Sequence, residues 1–214
     1  MKTAVSALLV AASLFFMPFS YAASTATSTE AIKENQQYKV IQLKQAPLPS
    51  TQIEVIEFFS FGCPHCAHLE PTLQAWRKTL PANVSFRRVP VVFRPQWENL
   101  AKVYYTLDAL KLSQLEPLVF KAIHESNEDL TSEEIFLKWA KKQKVDEKNA
   151  RTMFESFTVN TRVSQAKTLA QYYQVEGVPL LIVANKYQTD VQMAGGPEKV
   201  PAVLNHLIRL AQNK

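Results

Sequence analysis

The chain has 214 residues, 47% of them hydrophobic, so it can bury one sizeable core, and length alone allows one or two domains. Lys and Arg outnumber Asp and Glu by 24 to 19, a formal charge of +5, and the positive residues are scattered among acids apart from Lys141, Lys142 and Lys144. A solvated helix end accounts for that short run, and the interleaving of basic and aromatic residues that marks nucleic-acid binders is missing.

Residues 1–22 place Lys2 ahead of an apolar stretch over 4–16, then Pro18 and small residues ending at Ser20, Tyr21 and Ala22. This is the order of a secretory signal peptide, with Ser20 and Ala22 fitting cleavage after Ala22. The other reading is a membrane anchor, but a spanning helix needs about 20 apolar residues and Pro18 interrupts this run too early. The expectation is an exported chain without stable membrane insertion. Residues 23–37 are polar, small and without period, and read as a flexible lead-in.

Folding is expected from Tyr38. Residues 38–43 and 53–60 are rich in branched and aromatic side chains and are separated by Pro47 and Pro49, so both read as strands. After the second, Phe61 and Gly62 turn the chain and Cys63 opens a helix marked by Leu69, Leu73 and Trp76. Residues 84–92 give a further strand, expected parallel to 53–60 after a crossover helix. Helical periodicity then covers 98–110, 114–125, 132–142, 147–156 and 160–173, with no glycine between Gly62 and Gly177. Residues 127–131 with Glu133 and Glu134 offer one capped helix start and Asp146 another. Strand character returns at 179–184 and weakly at 191–194, and Pro197 opens a closing helix to about 212. A strand-helix-strand unit needs about 30 residues, so the 112 between Cys66 and Pro179 hold a helical insertion.

The only two cysteines, Cys63 and Cys66, lie in one Cys63-Pro64-His65-Cys66 segment. Structural bridges usually close longer loops, because a two-residue interval constrains the unfolded chain little, so the pair reads as chemical. A CxxC can also be half of a zinc site, but no second CxxC exists and His124 and His206 stand alone on helical patterns, so no metal is expected. At a helix start, unpaired N–H groups and a partial positive charge favour a thiolate at Cys63. Pro64 suits the first helical position, and His65 adds a donor or a positive charge near the sulfur. His68 reads as a bystander. Cys66, almost one turn on, points the same way but deeper, which makes Cys63 the exposed, reactive sulfur and Cys66 its buried partner. A stabilised thiolate favours the reduced form, so the disulfide form acts as an oxidant.

The segments EFFSFGCPHC and, far downstream, EGVPLLIV resemble the bacterial DsbA family of periplasmic oxidases. The likeness spans the strand before the motif, the helix after it, the insertion and the closing strand and helix. It implies an α/β thioredoxin fold with a mostly helical inserted domain: residues 38–95 and 176–214 would form the thioredoxin part and 96–175 the insertion. It further implies a periplasmic protein disulfide oxidoreductase that needs no cofactor. Such an enzyme donates its disulfide to unfolded exported proteins with free cysteines, through a mixed disulfide, and is reoxidised by a membrane quinone-linked partner of the DsbB type. Gly62 departs from the pattern, since some members carry an aromatic residue before the first cysteine.

Two further positions gain a role from the resemblance. Val178-Pro179 matches the loop that faces the disulfide through a cis peptide bond, with the backbone of Val178 pairing with substrate; on sequence alone an ordinary trans proline is commoner. Glu57 is a charged residue in an apolar strand six residues before Cys63, which an edge position open to solvent would also explain. The resemblance implies instead a buried acid beneath Cys66 that assists proton transfer, its pKa raised by desolvation. Two alternatives stand beside this reading. One is a disulfide isomerase or reductase of the same fold, though these usually add an N-terminal dimerisation domain and the stretch before Tyr38 is short. The other is a non-enzymatic metal-binding carrier.

Overall fold

The computed structural model describes residues 31–43 and 52–213. The predicted signal peptide and most of the predicted lead-in lie outside them. Ordered structure nevertheless reaches back past Tyr38. Ile32 packs against the core, Glu34 pairs with Tyr38 across a tight turn, and Thr189 Oγ1 donates to the Gln37 carbonyl at 2.7 Å.

The chain runs through β1 (Lys39–Val40), β2 (Ile53–Phe59), α1 (Pro64–Arg77) and β3 (Val84–Pro90). The insertion follows as α2 (Trp97–Ala109), α3 (Glu116–His124), α4 (Glu133–Lys142), α5 (Glu147–Phe154) and α6 (Phe157–Tyr172). The chain then returns through β4 (Leu180–Val183), β5 (Tyr187–Asp190), the single turn α7 (Val191–Ala194) and α8 (Val200–Gln212). The five strands form one sheet in the order β1-β5-β4-β2-β3. The β2–β3 pair is parallel, as a crossover through α1 requires, and the other pairs are antiparallel.

Alternation along the central strands divides the interior. Val55, Leu181 and Val183 point to one face, where Leu69, Leu73 and Trp76 of α1 meet Val203, Leu204 and Leu207 of α8. Ile56, Phe58, Leu180 and Ile182 point to the other, against Leu107, Phe136, Phe154 and Val163 of the insertion. With a hydrophobic layer on each face, β2 is a continuous buried run from Val55 to Phe59. This is the thioredoxin arrangement with a helical insertion that the resemblance implies.

Three local expectations are corrected. The weak strand expected over 191–194 is helical, and the strand is Tyr187–Asp190, joined to β4 by a tight turn with Ala184 and Asn185 at positive φ. The cause is Asp190, whose carboxylate accepts from Met193 N–H at 2.7 Å and starts α7. The cap of α4 is Ser132, not a residue of 127–131, and Asp129 instead accepts from Thr131 N–H. The first strand is two residues long. Asp146 caps α5 as read, accepting from Asn149 N–H at 2.7 Å. Among the described residues no helix is long and apolar enough to cross a membrane.

Candidate active site

β2 ends in a turn, Ser60 to Cys63, closed by Cys63 N–H donating to the Ser60 carbonyl at 3.1 Å and braced by Gly62 N–H to Ser60 Oγ at 3.2 Å. Cys63 is the N-cap of α1 and Pro64 its first residue, where a missing N–H costs nothing. Cys66 follows one turn later with no exposed surface. Cys63 is itself only 6% exposed, which corrects the expectation of an exposed sulfur. The cover comes from the Val178 loop: Cys63 Sγ donates to the Val178 carbonyl at 3.3 Å, and the Val178-Pro179 bond is cis.

Both sulfurs are free, and their surroundings drive them apart. The Cys63 thiol is lowered to about 6, chiefly by the hydrogen bond from Cys66, with help from the backbone N–H groups of Cys66 and His65 and from the His65 charge, against the effect of burial. Burial pushes the Cys66 thiol far up, reinforced by its bond to Cys63 and by the charge of Glu57. The N–H groups at the helix start and the His65 charge both lower Cys63, but the neighbouring thiol is the larger influence. His65 and His68 are both exposed; His65 alone of the two borders the groove beside the cysteines. That groove, about 730 Å³, is lined by Val178, Pro179, Leu180, Glu176, Asp190 and Met193 among others.

Glu57 is fully buried, not an edge residue, and lies in register with Arg88 of β3. The guanidinium is shared among three carboxylates: Nε to Glu57 at 2.7 Å, Nη1 to Glu116 at 2.8 Å, and Nη2 to Glu70. All four side chains are buried. Burial of several carboxylates around one guanidinium favours the neutral form of Glu57 and Glu116. Burial raises Glu57 to about 7 although Arg88 opposes the shift, and burial likewise raises Glu116. Arg88, Glu70 and Glu116 were not identified from sequence. The available signal was the pair Arg87-Arg88 inside an apolar strand, where alternation sends one of the two inward.

Gly62 is explained by packing: a Cβ there would lie 2.8 Å from Trp97 Nε1 and 3.0 Å from Leu100 Cδ1. The aromatic surface beside the cysteines is therefore supplied by α2. The model of the DSBA-like thioredoxin domain matches residues 54–208. This chain belongs to the DsbA family. It is 37% identical over 205 residues to the thiol:disulfide interchange protein DsbA of Pseudomonas syringae pv. tomato, covering 95% of this chain and 92% of that one. It is 34% identical over 208 residues to the DsbA of Azotobacter vinelandii, covering 97% and 96%. The crystal structure of Pseudomonas aeruginosa DsbA superposes with a TM-score of 0.79 at 33% identity, covering 85% of this chain and 97% of that one. A DsbA-family member with this pair of cysteines is a thiol-disulfide oxidoreductase.

Proposed function

We propose that the protein donates the Cys63–Cys66 disulfide to unfolded exported proteins in the periplasm. The observation that carries this reading is the opposed tuning of the two sulfurs, with the Cys63 thiol held near 6 and the Cys66 thiol far above its ordinary range. A thiolate stabilised in the reduced protein makes the disulfide form the less favoured one, which is the property of an oxidant.

A substrate thiolate attacks Cys63 Sγ, the Cys63–Cys66 bond breaks, and a mixed disulfide forms. Cys66 leaves as a thiolate that its surroundings disfavour, so it takes up a proton; Glu57, still partly protonated near pH 7, is the neighbouring acid that supplies it. A second substrate thiolate then attacks the substrate's own sulfur in the bridge, and Cys63 departs as a stabilised thiolate. Two electrons have passed to the protein, and a membrane quinone-linked partner of the DsbB type removes them. The substrate segment lies extended in the groove beside Val178 and Pro179, held by backbone and apolar contacts.

The carrier alternative needs further ligands around the cysteines, and among the described residues no group of three or more His, Cys, Asp or Glu side chains converges on a metal site. The test is the redox equilibrium of the mature protein with glutathione, followed by thiol alkylation. A potential well above about −270 mV, the thioredoxin value, supports a donor; one near it makes the protein a reductase. In stopped-flow exchange with a reduced substrate peptide, Glu57→Gln should slow the reaction near neutral pH.

A further inference from the structure

His124, at the C-terminal end of α3, takes no part in the exchange described above, yet it reaches the cysteine turn. Its Nε2 lies 2.7 Å from the carbonyl oxygen of Phe61, and a carbonyl can only accept, so Nε2 carries the hydrogen. The ring stacks on Phe120 with a 26° interplanar angle, and Phe120 in turn meets the ring of Phe61 edge-on at 4.9 Å. The imidazole is thus fixed from the insertion onto the peptide two residues before Cys63.

That peptide is the one a turn can flip. Phe61 and Gly62 are the central residues of the Ser60–Cys63 turn, and rotating the peptide between them converts one turn form into another that needs positive φ at the second central residue. Glycine enters positive φ freely, and Gly62 does not use it here. The packing of Trp97 that demands a glycine therefore also leaves the turn two accessible forms. In the flipped form the Phe61 carbonyl points away from His124 and Gly62 N–H leaves Ser60 Oγ.

We propose that His124 is a positioning residue, its Nε2–H holding the Phe61-Gly62 peptide in one of the two forms glycine allows and so fixing the reactivity of Cys63. The proposal rests on the exchange role of Cys63, which the unsubstituted protein, measured alongside, tests separately. Released from His124, the turn samples the flipped form, and Cys63 loses part of its alignment with the N–H groups of His65 and Cys66.

The experiment compares His124→Leu, His124→Gln and His124→Asn by thiolate absorbance titration, glutathione equilibrium and thermal denaturation. Gln can place a donor where Nε2 lies; Asn is too short and Leu has none. The expected result for Leu and Asn is an upward shift of the Cys63 titration and an equilibrium roughly fivefold less oxidising, the size of one net hydrogen bond, with Gln near the unsubstituted protein. If Leu does not fold, the contrast between Gln and Asn decides. A lowered melting temperature with titration and equilibrium unchanged overturns the proposal, as does Gln behaving like Asn.

Discussion

Cys63 gives the most direct check at the scale of a single residue. Its thiol is lowered from an ordinary value of 9.0 to about 6 in the reduced protein. The stabilisation of the reduced state is present in full above the ordinary thiol value and is lost as pH falls through about 6. Between these limits reduction takes up one proton instead of two, because Cys63 stays ionised while Cys66 is protonated. Each proton per two electrons contributes about 30 mV per pH unit, so the potential should fall by about 60 mV per unit below pH 6 and by about 30 mV above it. Potentials measured in glutathione buffers from pH 5 to 8 check this, and one uniform slope would mean that Cys63 titrates elsewhere. The sequence made this residue legible because a helix start acts locally: Cys63, Pro64, His65 and Cys66 carry their chemistry within one turn. Arg88 was not legible, since what it meets is decided by strand register.

Among the elements, the turn after β2 and the start of α2 form one unit. Adding a methyl group at Gly62 brings it to 2.8 Å from Trp97 Nε1, inside contact distance, and the half-buried indole, packed against the core, has to shift to make room. Gly62→Ala should cost about 1–3 kcal/mol of stability, and Trp97→Leu should restore much of it in the double variant although it is destabilising alone. Chemical denaturation of the four proteins gives the coupling; additive losses would separate the two positions. The same scale shows where periodicity served and where it failed. The helices of the insertion were readable because each buries a stripe, as α4 does with Phe136, Leu137 and Ala140. β5 was not, because Tyr-Gln-Thr-Asp has few apolar residues and becomes a strand through pairing with β4, while the apolar Val191 beyond it belongs to a turn that Asp190 caps.

In the whole molecule, the buried charges join parts that the sequence keeps far apart: Glu57 from β2, Glu70 from α1, Arg88 from β3 and Glu116 from the inserted α3. Glu116 ties the insertion to the centre of the thioredoxin part through Arg88. Arg88→Met removes the guanidinium that pairs with all three carboxylates and leaves them facing one another. Without it, Glu57 and Glu116, already raised by burial, rise further above the unfolded value of about 4.5, so their ionisation opposes folding above the raised values and ceases to matter as pH falls toward 4.5. The variant should lose about 3–5 kcal/mol at pH 8, the cost of breaking a buried ion pair, and much less at pH 5. Adding Glu116→Gln should recover part of the loss at pH 8 and less at pH 5, because burial raises the Glu116 carboxyl and lower pH favours its neutral form. Urea denaturation at the two pH values reads both effects. An equal loss at pH 5 and pH 8 would mean that Arg88 holds these elements by its bulk and hydrogen bonds, with charge contributing little.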